Sequence, residues 1–193
     1  MKRFLLILVL CLVCASCARI ERYTTPFDTG GKVYKLALLP WQTTTMDFDF
    51  KYRWRMTQSV LKACKQAGTF EFKWSAYAVN GGDVDLLENI QKSGLWELRK
   101  YGKQYPVVPE VQAVLSGLDA DLALLYDISA DNYTRDPDFA YESRCDYVRI
   151  FLVDVKTGQV FTEFVRTNFM NGGLDADVKL LTLRAFNKFL ADK

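Results

Sequence analysis

Apolar and polar positions alternate along this chain with two periods, near two and near 3.6, and the switches between them divide it into strands and helices. Val33–Leu39 is almost continuously apolar and is bounded by Gly31 and Pro40, which predicts a strand buried on both faces. Trp41 to Phe50 reads as a loop. Tyr52–Ala67 carries Met56, Val60, Ala63, Cys64 and Ala67 on one stripe, which predicts a helix ending at Gly68. Phe70–Val79 alternates as a strand, and Asn80-Gly81-Gly82 reads as a turn. Asp83 caps a predicted helix reaching about Leu98, with Gly94 interrupting its second half. Tyr101 to Val108 shows no period. Pro109 then opens a short helix over Glu110–Leu118, since proline suits a first turn. Leu122–Ala130, Arg144–Val155 and Gln159–Thr167 predict three more strands, the last two joined by a tight turn at Lys156-Thr157-Gly158. Asp131 to Glu142 is polar, with a turn at Asp136-Pro137-Asp138. After Asn171-Gly172-Gly173, Asp175 opens a final helix to about Leu190, its stripe being Val178, Leu181, Ala185, Phe186 and Phe189.

This order predicts an α/β fold: an α+β sandwich with a mixed sheet of about five strands and helices on at least one face. No internal repeat or low-complexity segment is present.

The first seventeen residues follow a different pattern. Met1-Lys2-Arg3 is basic, Phe4 to Val13 is apolar, and Cys14-Ala15-Ser16-Cys17 is small. Basic, apolar, small is the order of a secretory signal peptide. The apolar run falls short of the ~20 residues needed to span a bilayer. Ala15-Ser16 directly before Cys17 resembles a bacterial lipobox, with Cys14 where that motif usually has leucine. The resemblance implies cleavage before Cys17 and lipid on Cys17. The expected organisation is a signal peptide at 1–16, a lipidated tether at 17–32 and one α/β domain at 33–193. Ala18 is not the aspartate associated with inner-membrane retention, which favours the periplasmic face of the outer membrane.

Cysteine usage fits export. Of Cys11, Cys14, Cys17, Cys64 and Cys145, two leave with the signal and one takes lipid. Cys64 and Cys145 remain, with two readings open: a disulfide, or two separately buried thiols. Loss of Lys2 and Arg3 leaves 23 basic against 23 acidic side chains. A neutral chain lacks the basic footprint of a nucleic-acid binder, and it associates more easily with other subunits.

Three segments resemble periplasmic lipoproteins with the fold of the TolB amino-terminal domain. They are Lys35–Pro40, Leu118–Leu125, and the hairpin Val148–Val160 with its Asp154-x-x-x-Gly158 turn. That group includes the curli-secretion channel lipoprotein, the Pel exopolysaccharide-export lipoprotein, which is nearest in size, and outer-membrane activators of penicillin-binding proteins. The resemblance implies a non-enzymatic envelope role, often in a ring. Asp131–Glu142 is too short and charged for a membrane-crossing strand pair.

Candidate chemistry is sparse. With no histidine, Ser-His-Asp and Cys-His triads and histidine metal sites are excluded. The glycine pairs lack Walker spacing. Asp119 with Asp121, and Asp136 with Asp138, are carboxylate pairs of the type glycosidases use, or else turn formers. Asp47, Asp49 and Asp131 lack calcium-loop spacing, so no metal or cofactor is expected. Trp41, Phe48, Phe50, Tyr52 and Trp54 do not fit one buried stripe, and form a candidate contact surface for protein or carbohydrate. The expected function is therefore a non-enzymatic assembly or scaffold subunit of an envelope secretion or polysaccharide-export system. Its partners would be the membrane, through the lipid anchor, other envelope proteins, further copies of itself, and a polysaccharide. The alternatives are a monomeric regulator docking to a peptidoglycan-synthesis enzyme, and a carbohydrate-active enzyme.

Overall fold

The computed structural model describes residues 30–40, 42–43, 50–76, 93–99, 103–132, 143–166 and 174–193. The side chains of 42–43, 50–53, 129–132, 143–146, 166 and 174 are not part of that description. The signal peptide, most of the tether, the turns expected at 80–82, 136–138 and 171–173, and the start of the helix expected at Asp83 lie outside the described residues.

Two long strands, β6 (Leu122–Asn132) and β7 (Ser143–Asp154), pair antiparallel at the centre of the molecule. β1 (Tyr34–Leu38) lies parallel beside β6, and β3 (Phe70–Ser75) lies parallel beside β1. β8 (Val160–Arg166) pairs antiparallel with β7 on the other side. The sheet order is β3-β1-β6-β7-β8, a mixed sheet of five strands as expected. A sixth, β2 (Gln42–Thr43), continues the line of β1 beyond Pro40 and pairs with β6. The expected loop at 41–50 thus contributes two strand residues.

Alternation splits the core in two. Leu36, Leu38, Leu122, Leu124, Tyr126, Ile128, Val148, Ile150 and Leu152 point to one face. There they meet α1 (Phe50–Ala67), through Met56, Val60 and Ala63, and α3 (Leu174–Ala191), through Val178, Leu181, Phe186 and Phe189. Phe186 stacks on Phe70 at 3.7 Å between centroids, and Phe189 meets Tyr34 edge-on at 4.8 Å. Arg55 of α1 donates to Asp175 in the first turn of α3, at 2.9 Å from Nε and 2.8 Å from Nη2. Thr182 Oγ1 donates to the Val178 carbonyl at 2.7 Å, so the hydroxyl of buried Tyr126 is the donor to Thr182, also at 2.7 Å.

Ala37, Leu39, Ala123, Leu125, Phe151 and Val153 point to the second face. It is covered by α2 (Val108–Ser116), through Val111 and Leu115, and by a small hairpin, β4 (Trp96–Leu98) with β5 (Gln104–Pro106). This hairpin corrects two expectations. Residues 96–98 are strand, not the end of a helix from Asp83. Gly94 takes a φ of 68°, which breaks the chain ahead of them. Residues 104–106, expected to be irregular, pair with them. Burial of both sheet faces explains why the β1 and β6 segments read as continuous apolar runs.

The β7–β8 turn forms where expected, organised by Asp154. Its Oδ1 accepts the amides of Lys156 at 2.9 Å and Thr157 at 3.1 Å, and Gly158 follows with a φ of 73°. Burial opposes ionisation of Asp154. Lys193 and these amides outweigh it and hold the carboxyl below the usual carboxylate range.

Leu124 is fully buried in the first core, whereas Val160 is 36% exposed. Leu124→Ala is expected to destabilise the fold by about 2–5 kcal/mol in urea unfolding, and Val160→Ala by about 0.5 kcal/mol or less. Equal losses would contradict this placement of the core.

Candidate functional site

On the second face the apolar layer ends in a pair of charges. Asp127 of β6 and Arg149 of β7 are directly opposed in the antiparallel register. Each continues a row of inward-facing apolar residues, Ala123 and Leu125 on β6, Phe151 and Val153 on β7. Asp127 is 0% exposed and Arg149 is 5%. Arg149 Nη2 donates both to Asp127 Oδ2 and to the carbonyl of Gln104 on β5, the latter at 2.6 Å. The Tyr147 hydroxyl donates to the same carboxylate oxygen at 3.2 Å. The guanidinium lies 4.4 Å from the Tyr105 ring centre and 5.1 Å from that of Phe151. Arg99 stacks on Tyr105 as well, at 4.6 Å.

Two atoms of this pair, Asp127 Oδ1 and Arg149 Nε, are buried with no hydrogen-bond partner among the described residues. Nε and Nη2 share the guanidinium edge that can close a two-bond fork on a carboxylate. Only the Nη2 half is closed here. Burial pushes the Asp127 carboxyl above its usual range, because desolvation outweighs the help of Arg149 and Tyr147. The arrangement clamps β5 onto the sheet: one guanidinium ties β6, β7 and the hairpin together. Trp96 completes the attachment by packing edge-on to Phe151, and its indole N–H donates to the Pro40 carbonyl at 3.4 Å.

None of the described residues singled out in the sequence is part of this pair. Cys17, Trp41, Phe48, Asp47, Asp49, Asp136 and Asp138 are outside the described residues, as are the side chains of Phe50, Tyr52, Asp131 and Cys145. Trp54 lies on α1 and is 48% exposed. Cys64 is a free, buried thiol facing the first core, and burial pushes it up to about 12. The backbone of Cys145 lies opposite Ala130. Asp121 Oδ2 accepts the Lys35 amide at 2.8 Å, and Asp119 pairs with the Lys35 ammonium. Both carboxylates of that pair therefore hold the start of β1. The Lys35 bond also keeps the Asp119 carboxyl below its usual range.

Asp127 and Arg149 were not singled out in the sequence. The available signal was a lone acid inside one apolar run and a lone base inside another. Only the β6–β7 register places them opposite each other.

No family model matches the chain, and no curated protein does. Solved structures give distant likenesses. A lipoprotein from Neisseria meningitidis, GNA1162, is 12% identical with a TM-score of 0.40, over 83% of this chain and 99% of that one. A competence-damaged (CinA) superfamily protein from Klebsiella pneumoniae is 14% identical with a TM-score of 0.43, over 83% and 89%. The PelC dodecamer from Paraburkholderia phytofirmans is 13% identical with a TM-score of 0.42, over 80% and 85%. Likeness at this depth carries no argument about what the chain does.

Arg149→Met strands the Asp127 carboxylate in a dry site and is expected to cost about 3–5 kcal/mol at neutral pH. Asp127→Leu combined with Arg149→Met is expected to recover most of that loss. Asp127 binds its proton more tightly folded than unfolded, so protonation supports the fold at low pH and that support is lost as pH rises through the folded pKa. The single variant's deficit should therefore shrink on acidification, while the double variant shows no such pH dependence. Chemical denaturation of the three proteins at several pH values checks this. A single variant as stable as the parent at neutral pH would show that the pair is no clamp.

Proposed function

We propose that this chain is a lipid-anchored protein of the bacterial cell envelope. It faces the periplasm from the outer membrane and acts by contact, as an assembly or scaffold subunit of a secretion or polysaccharide-export system. The observation that carries this reading is the amino-terminal sequence: a basic start, a short apolar run, and Ala15-Ser16 before Cys17. Lipid on Cys17 would hold the domain to one leaflet, since each buried methylene contributes about 0.8 kcal/mol and two chains suffice for stable anchoring. Residues 17–32 would stand the α/β body off the membrane.

The use of the described carboxylates supports contact over catalysis. Asp119 and Asp121 organise β1, Asp154 organises a turn, Asp127 closes a clamp, and Asp175 ties α1 to α3. The absence of histidine points the same way.

Mass spectrometry of the mature protein is expected to find Cys17 as its first residue, carrying diacylglycerol. Cys17→Ser should leave an unprocessed or soluble form and remove the chain from the membrane fraction. An unmodified amino terminus, or unchanged fractionation of the variant, would overturn both anchor and location.

A further inference from the structure

β8 lies at the end of the sheet, and among the described residues its only strand neighbour is β7. The orientation of its backbone follows from the turn that precedes it. The Asp154 amide bonds to the Gln159 carbonyl at 2.9 Å, and β7 and β8 then run in register without a bulge. Bonded and non-bonded pairs alternate in an antiparallel ladder. Phe161, Glu163 and Val165 therefore bond to β7, while Val160, Thr162 and Phe164 direct their N–H and C=O groups outward. An independent contact agrees with this. The Lys188 ammonium reaches from α3 to the Thr162 carbonyl at 3.1 Å.

The side chains of these same three residues project from the second face and are exposed there. Phe164 is 47% exposed and Val160 36%, and Phe164 lies 5.9 Å from the Tyr147 ring. An open edge with apolar side chains is a template for another strand.

We infer that this edge receives a second copy of the chain, β8 against β8 about a two-fold axis through Thr162. The sequence of the strand selects this occupant. In that register Thr162 opposes Thr162 of the second copy, and Val160 opposes Phe164 in both directions. Threonine pairs and aromatic–β-branched pairs are favourable cross-strand combinations. Each of the three residue pairs can exchange two backbone hydrogen bonds. On the first face Glu163 pairs with Lys188 at 2.5 Å in one copy, and Glu163 is 13% exposed. Each Lys188 then releases its Thr162 carbonyl to the new ladder and keeps its pair with Glu163. With 25 basic against 23 acidic side chains, the full chain offers little net repulsion to self-association. The product is a closed dimer with one continuous sheet. It needs no lipid anchor, so it stands or falls separately from the envelope assignment.

The test uses the full chain in cells. Paired residues with bonded geometry sit ~5.5 Å apart at Cα, within disulfide range. Thr162→Cys is expected to give an oxidant-dependent dimer whose tryptic digest links the two introduced thiols at position 162. Lys156→Cys, in the exposed turn, should give none. Thr162→Pro removes an outward N–H and leaves the β7 ladder intact. It should lower co-purification of two differently tagged copies at least ten-fold with the circular-dichroism spectrum unchanged. Phe164→Glu is expected to do the same without altering the backbone. Absence of the linked peptide, equal crosslinking at position 156, or co-purification unchanged by both Thr162→Pro and Phe164→Glu would overturn the proposal.

Discussion

The pairing of β6 with β7 is the constraint on which the rest of this structure depends. Leu122 to Ile128 and Val148 to Val153 form one ladder, and all their side chains are buried. Even-numbered residues supply the core beneath α1 and α3, and odd-numbered residues supply the core beneath α2 and the β4–β5 hairpin. A one-residue slip of either strand would reverse its two faces, bring its charge under the paired helices and part that charge from its partner. The ion pair thus has a consequence beyond its own energy, because it penalises the wrong register. Burial makes it a poor source of net stability and a strong discriminator between alignments.

The same ladder accounts for what differs between the ends of the sheet. β3 is tied in by aromatic stacking, Phe70 on Phe186 of α3 and on Tyr34 of β1. At the other end, Phe161 of β8 packs on Phe189 at 5.6 Å. On the opposite side of that strand Val160 and Phe164 are exposed, and Lys188 holds the outward carbonyl of Thr162. A fully buried central ladder and one exposed margin would suit the self-pairing inferred for β8. Attachment to a membrane through Cys17 would align such margins in two dimensions and raise their effective concentration.

Much of this architecture was legible in the sequence. The strands at 34–38, 122–132, 143–154 and 160–166 and the helices at 50–67 and 174–191 follow from hydrophobic period, because packing and pattern agree there. Periodicity is silent at 96–106, where three-residue strands are too short to display it and Gly94, at a φ of 68°, breaks the chain just ahead of them. Pairing with β5 is a non-local contact that no local pattern reports. Asp127 and Arg149 escaped notice for a related reason, since their significance arises from being opposite each other across 22 residues of sequence. The Asp119–Asp121 carboxylates read as local turn formers, whereas the structure gives both to Lys35, 84 and 86 residues away, a non-local contact that no local pattern reports.

Residue-resolved amide hydrogen exchange tests the central ladder most directly. The slowest exchange is expected at Leu122–Ile128 and Val148–Val153, with protection at Phe161, Glu163 and Val165 and rapid exchange at Val160, Thr162 and Phe164 in the dilute, monomeric protein. Central strands exchanging as fast as the β4–β5 hairpin, or equal protection of odd and even positions along β8 in the monomer, would contradict the register on which this account is built.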